Sequence, residues 1–106
     1  RTQTENYIPS TDAAYIFKTC VKMVKKSKVG NYRKGNRNNY IFVLACLMCE
    51  FGVNNEQALH LIFERYNSLG FQEVRSTVNS SYRKNKSKFA TKIINQRTNV
   101  NQVNLL

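Results

Sequence analysis

The sequence is short of acidic groups: Asp and Glu together number six, against a single histidine, His60. A two-metal phosphoryl-transfer site needs several carboxylates converging on its ions, and residues spread this thinly do not supply one. No serine–histidine–acid arrangement and no clustered carboxylate pair is visible, so catalysis has no candidate residues here. His60 stands between Leu59 and Leu61 in an apolar segment and reads as a structural helix residue. Sulfur is thin as well. Cys20, Cys46 and Cys49 are odd in number and lie in apolar stretches, which fits free thiols in a reducing cytoplasm and not a disulfide framework. Cys46-Leu-Met-Cys49 has C-x-x-C spacing, yet zinc normally takes four ligands and no second pair is present. Core packing is the better reading, and no metal is expected. No apolar run approaches the ~18 to 20 residues needed to cross a bilayer, so no membrane partner is expected. There is no Walker-type loop; Gly30 and Gly35 bracket a short segment, but no strand precedes it. Internal repeats and sustained two-residue alternation are also missing, and with them any confident strand. The chain opens on Arg1, as expected of a piece of something longer, so the lack of a signal peptide carries little information on location.

What the sequence does have is positive charge. Seventeen Lys and Arg leave a formal net charge of +11 and a pI near 9.9 on 106 residues. On a chain of single-domain length, that excess favours a polyanionic partner, nucleic acid before an acidic membrane surface. The alternative is a solubilising surface with no dedicated partner.

Apolar spacing predicts four helices. Residues 1–9 read as an extended leading segment ending at Pro9, followed by Ser10, Thr11 and Asp12 as candidate caps. From Ala13 to about Ser27, Ile16, Phe17, Cys20, Val21 and Val24 recur at helical spacing, with Lys18, Lys22, Lys25 and Lys26 opposite them. A second helix is expected from near Asn36 to Phe51; it is apolar almost all round, as a buried central helix would be. A third follows an Asn54 or Asn55 cap, with Ala58, Leu59, Ile62, Phe63 and Tyr66 inward. A fourth starts after Phe71, turns Val74, Val78 and Tyr82 inward and ends in the basic run RKNKSK. The expected fold is all-α, a compact bundle of four main helices with irregular termini. The domain is expected over 10–92, with 93–106 as a linker or the start of another element.

Three basic groups stand out. The first-helix stripe is one, and Arg33, Lys34 and Arg37 in the next connection are the second. Arg83, Lys84, Lys86, Lys88 and Lys92 form the third. Tyr32 and Tyr82 lie among these charges, where aromatic rings can stack on unpaired bases. Tyr82 shares the phase of Val74 and Val78 and reads as core; Tyr32, in a loop, reads as more open. Arg37 is the sharpest single residue. If Asn36 caps the helix, free N–H groups and the positive end of the helix dipole face whatever approaches, and a guanidinium there would clamp a phosphate. The competing reading is an ion pair between Arg37 and Glu73, with Asn38 and Asn39 doing ordinary capping work.

The segments GNRNNYIFVLACL from Gly35, then Phe51-Gly52-Val53, Ala58-Leu59 and FQEVRSTVNSSY from Phe71 to Tyr82 together resemble the C-terminal helical domain of primases. In that family a G-x-R-N segment opens a central helix, and a later E-V segment ending in serine and an aromatic closes the bundle. Gly35, Arg37, Asn38, Glu73, Val74 and Tyr82 match position by position, and the likeness covers about residues 30–91. The loop NSLG before Phe71 is shorter than in many relatives and lacks their proline. Relatives of this kind occur in replication proteins of plasmids, phages and mobile elements, beside a primase–polymerase domain or a virulence-associated-E-type helicase region. The resemblance implies a DNA-associated accessory domain that holds single-stranded template for a neighbouring catalytic domain.

The expected function is therefore non-catalytic DNA binding in a cytoplasmic primase- or helicase-type replication protein. Its residues would be Arg37, Lys34, Arg33, the stripe Lys18, Lys22, Lys25 and Lys26, then Tyr32, Lys84, Lys86 and Lys88. Gly35, Asn36, Asn38, Glu73, Val74 and Tyr82 would carry the structural motif. No cofactor is called for, and nucleotide binding is open only through the parent protein. A structural spacer between catalytic domains is the alternative. A helix-turn-helix regulator is weaker, because the third helix carries only Arg65 as a basic residue, near its end.

Overall fold

The computed structural model describes residues 12–93. It consists of α1 (Ala13–Lys26), α2 (Arg37–Glu50), α3 (Asn55–Arg65) and α4 (Phe71–Lys84), followed by a 3-10 turn at Lys86–Lys88. No strand occurs among the described residues, and the fold is all-α as expected. The leading segment 1–9, the candidate caps Ser10 and Thr11, and positions 94–106 of the expected tail lie outside the described residues.

Two helices start on side-chain caps. Asp12 Oδ1 accepts the Ala14 N–H at 3.0 Å, and Asn54 Oδ1 accepts those of Glu56 and Gln57 at 2.9 and 3.3 Å. The other two do not. Asn36 occupies the N-cap of α2 without a side-chain cap bond, and Gly70, at the N-cap of α4, has no side chain to offer. The first turns of α2 and α4 therefore carry N–H groups that no capping side chain satisfies.

The pairings across the bundle set the helix directions. Asn38 meets Glu73 and Thr77, Ser81 donates to the Phe42 carbonyl, and Asn85 reaches Cys46, so α2 and α4 run parallel. The Tyr40–Tyr66 hydroxyl contact, with the Tyr82–Val53 bond at the opposite end, sets α3 antiparallel to both. At one end of the bundle lie the C-termini of α1 and α3 and the N-termini of α2 and α4. That end holds the candidate site.

α2 is the central helix, packed against α1, α3, α4 and the 3-10 turn. Its Tyr40, Ile41, Leu44, Ala45 and Met48 are wholly buried, joined by Val24 from α1, Leu59 and Ile62 from α3, and Val74 and Val78 from α4. Each such aliphatic side chain contributes roughly 1.5–3 kcal/mol on burial. The inward residues expected of α3 are buried except Phe63, which is half-buried against Phe71.

The far end closes by a device that the periodicity did not predict. Gly52 (φ 83°) terminates α2 in a Schellman arrangement, with Val53 N–H to Met48 O at 2.9 Å and Gly52 N–H to Cys49 O at 3.0 Å. α4 ends within the RKNKSK run, as expected, after Arg83 and Lys84. Asn85 ends the helix, its amide donating to Ser81 O at 2.8 Å, and the chain folds back over α2. Ala90 N–H reaches Cys49 O at 3.0 Å, Lys92 N–H reaches Glu50 O at 2.8 Å, and Lys92 Nζ pairs with Glu50 Oε1 at 2.7 Å. Lys92 thus leaves the third basic group and becomes part of the clasp on α2.

Candidate nucleic-acid interface

Two loops build the site, 27–36 between α1 and α2 and 66–70 between α3 and α4. The first is braced from within. Asn36 turns its side chain back into the loop: its Oδ1 accepts the Arg33 N–H at 2.9 Å, and its Nδ2 donates to Val29 O and Asn31 O at 3.0 and 2.9 Å. An asparagine expected to cap α2 instead shapes the loop before it, because three loop groups lie within its reach. Arg33 does similar work, its Nη1 donating to Asn31 O at 3.2 Å.

Tyr32 ties the two loops together. Its hydroxyl meets Ser68 Oγ at 2.7 Å, and its ring lies 4.6 Å from that of Tyr66 and 5.3 Å from that of Tyr40. Tyr40 and Tyr66 bond to each other through their hydroxyls at 2.9 Å, and burial, followed by this contact, pushes the Tyr40 phenol well above its ordinary range. The ring expected to stand open for base stacking is half-buried in a three-tyrosine cluster.

Arg37 begins α2. Its side chain has no ion pair and no hydrogen bond, and Nε is fully buried without a partner. The expected pair with Glu73 does not form. Asn38 Nδ2 takes the Glu73 carboxylate at 2.8 Å, and Thr77 Oγ1 donates to Asn38 Oδ1 at 3.2 Å. The reason is helical phase: neighbouring residues are about 100° apart around the axis, so Asn38 faces α4 while Arg37 faces the loop before it. Around Arg37 lies an open pocket of about 420 Å³, lined by Gly35, Asn36, Asn38, Asn39 and Leu69. Gly35 (φ 100°) and Gly70 (φ 86°) have nothing within 4 Å of where a Cβ would stand, which leaves the approach open. The N-termini of α2 and α4 meet here, both uncapped by side chains, and an unpaired guanidinium adds to their positive field.

A second pocket, of about 370 Å³, lies beside the first and is lined by Lys25, Asn31, Tyr32, Arg65, Tyr66, Asn67 and Ser68. Arg65, set aside in the sequence as an isolated charge, stands 5.5 Å over the Tyr66 ring. Only the fold brings it near Lys25.

The remaining basic residues divide between the two ends. Lys18, Lys22, Lys25 and Lys26 are exposed along α1, with Lys25 and Lys26 at the loop end, and Lys34 is exposed in the loop. Lys84, Lys86 and Lys88 are exposed at the far end of α4, and Lys84 stands 5.7 Å over the Phe42 ring. Lys84 thus reaches back to within about 8 Å of Arg37 along the α2 axis, whereas Lys86 and Lys88, which follow Asn85 beside Cys46 and Cys49, lie at the other end of α2, roughly 15–20 Å away.

The sulfur atoms lie in or against the core. Cys20 and Cys49 are buried, and Cys46 Sγ accepts from Ser81 Oγ and Asn85 Nδ2, both at 3.0 Å. Burial, with Glu50 nearby, pushes the Cys20 thiol up to about 12, and burial raises Cys49 too. No three His, Cys, Asp or Glu residues gather as a metal site among the described residues. His60 is exposed, 3.9 Å from Glu56. No described helix is long and apolar enough to cross a membrane.

No curated protein and no solved structure matches the chain. One family model does: primase C terminal 1, over residues 25–87, from the last turn of α1 into the 3-10 turn. That range holds both loops, both pockets, Arg37 and the Asn38–Glu73–Thr77 contacts, and it is more than half of the chain. The chain belongs to the primase C terminal 1 family, whose members are associated with primase-type replication proteins.

Proposed function

We propose that this is a non-catalytic DNA-binding module of a primase- or helicase-type replication protein, holding single-stranded template through its phosphates. The observation that carries the reading is Arg37, a guanidinium with no counterion beside two helix N-termini that lack side-chain caps. A cation kept half-buried and unpaired costs stability, and a phosphate of the ligand would offset that cost by supplying the missing acceptor. The +11 charge supports a polyanion as the partner, and the exposed lysines of α1 and the loop would extend the contact along a backbone. Lys84, Lys86 and Lys88 would meet a more distant part of the same strand. Phosphate contacts fix position and not sequence, so little sequence preference is expected.

The test is fluorescence anisotropy with a labelled single strand and a matched duplex, at two salt concentrations, for the wild type and Arg37→Ala. Tighter single-strand binding is expected, with log K falling by ~0.7 per phosphate contact per decade of salt. Arg37→Ala should weaken it roughly 10- to 100-fold, the loss of a charge-assisted contact, while the fold is retained. No binding at low salt would leave the module as a docking spacer. Discrimination of one duplex by ~10³ would favour a regulator.

A further inference from the structure

We infer that the pocket between Lys25 and Arg65 is a second phosphate subsite, holding the nucleotide adjacent to the one at Arg37 on a single DNA strand. The inference rests on the template-holding reading above and adds to it a residue, Arg65, that the sequence did not single out.

Three observations carry it. First, Lys25 lies in the last turn of α1 and Arg65 ends α3, 40 positions apart in the chain, yet both line one pocket of about 370 Å³. Neither is ion-paired among the described residues. Two uncompensated cations facing one cavity repel each other, and an anion between them removes the repulsion. Second, the rest of the lining is suited to a nucleotide unit. Asn31, Asn67 and Ser68 offer polar groups, and the Tyr32 and Tyr66 rings give an apolar wall. Arg65 is supported over the Tyr66 ring, so its guanidinium is placed before a ligand arrives.

Third, the two pockets are lined from the same two loops. Asn31 and Tyr32 line this one and Gly35 and Asn36 line the other; Ser68 lines this one and Leu69 the other. The Asn36 clip and the Tyr32–Ser68 bond hold the shared loops together. A backbone whose phosphate sits at Arg37 has its next cationic recess further along those same loops.

An amide-resolved NMR titration of this chain with the dinucleotide pdTpdT tests the proposal, on the wild type, Arg37→Ala, Lys25→Ala and Lys25→Ala/Arg65→Ala. In the wild type, shifts are expected at Asn31, Asn67 and Ser68 as well as at Gly35 to Asn38. The Lys25→Ala/Arg65→Ala variant should lose the first set, keep the second, and raise the apparent dissociation constant at least about tenfold. Lys25 makes no bond that its loss would break, so Lys25→Ala alone keeps the test clean if Arg65→Ala disturbs Tyr66. Wild-type shifts confined to Gly35–Asn38, or unchanged in both Lys25 variants, would overturn the second subsite and leave the Arg37 reading standing. No shift at either loop would overturn both.

Discussion

At the scale of one residue, the proposed role of Arg37 is separable from stability. A side chain that clasps the fold is missed when it is removed; one that is unpaired and half-buried is not. Arg37→Met keeps most of the apolar stem and removes the buried unpartnered Nε, so its melting temperature should equal or exceed that of the wild type. Thermal unfolding followed by circular dichroism reads this directly, and a clear fall would mean that the guanidinium holds the fold together. Tyr82 is the opposite case. Its hydroxyl donates to Val53 O at 2.6 Å inside the core, where burial pushes the phenol far above its ordinary range. Tyr82→Phe leaves that carbonyl unsatisfied and should cost roughly 1–2 kcal/mol, measured by urea unfolding, with strand binding unchanged.

Among the elements, the fold-back after α4 has the clearest energetic role. Ala90, Lys92 and the Lys92–Glu50 pair satisfy groups at the end of α2, and Gly52 passes close beneath them. A Cβ on Gly52 would stand 3.1 Å from that of Ala90, at a φ of 83° that disfavours any side chain. Gly52→Ala should therefore destabilise by about 1–3 kcal/mol, the cost of a strained left-handed residue plus the contact. Chain ending at residue 87, where the family match ends, should melt several degrees below chain ending at 93, since it loses the clasp. Equal melting temperatures for the two would show that the clasp is passive. At the N-cap of α3, Asn54→Ala should cost about 1 kcal/mol in the same measurement.

For the whole molecule, titration gives a prediction with a definite sign. Cys20, Cys49, Tyr40 and Tyr82 all have raised values in the fold, mainly through burial. Each holds its proton more tightly folded than unfolded. Stability is thus complete below the ordinary thiol value near 9 and falls as pH rises from there through about 12, where Cys20 titrates. Melting temperatures should be flat with respect to these groups below pH 8.5 and drop progressively above pH 9. Cys20→Ala should make the fall above pH 9 shallower, whereas an unchanged profile would place the alkaline transition on Cys49, Tyr40 and Tyr82. Salt acts differently on the two properties. With a +11 charge, the proposed strand binding should weaken with salt, while screening its self-repulsion should leave the fold equal or more stable.

The sequence by itself determined the helices, their inward faces and the family. Those depend on periodicity and turn chemistry, which are local. The spacing of Ile16 to Val24, the all-round apolar second helix and the Asn54 cap were all legible without a partner in view. Most residues of the first pocket were legible too, because Gly35 to Asn38 are consecutive; Leu69, from the other loop, was not. What only the tertiary structure decided is which groups find one another. Asn38, one position beyond Arg37, faces α4 and takes the Glu73 carboxylate; Tyr32 is drawn into the Tyr40–Tyr66 cluster; Lys92 turns back onto Glu50. Lys25 and Arg65 meet because α1 and α3 end at the same side of the bundle. Residues 40 positions apart share a pocket only through the packing angles of four helices, and no local pattern encodes that.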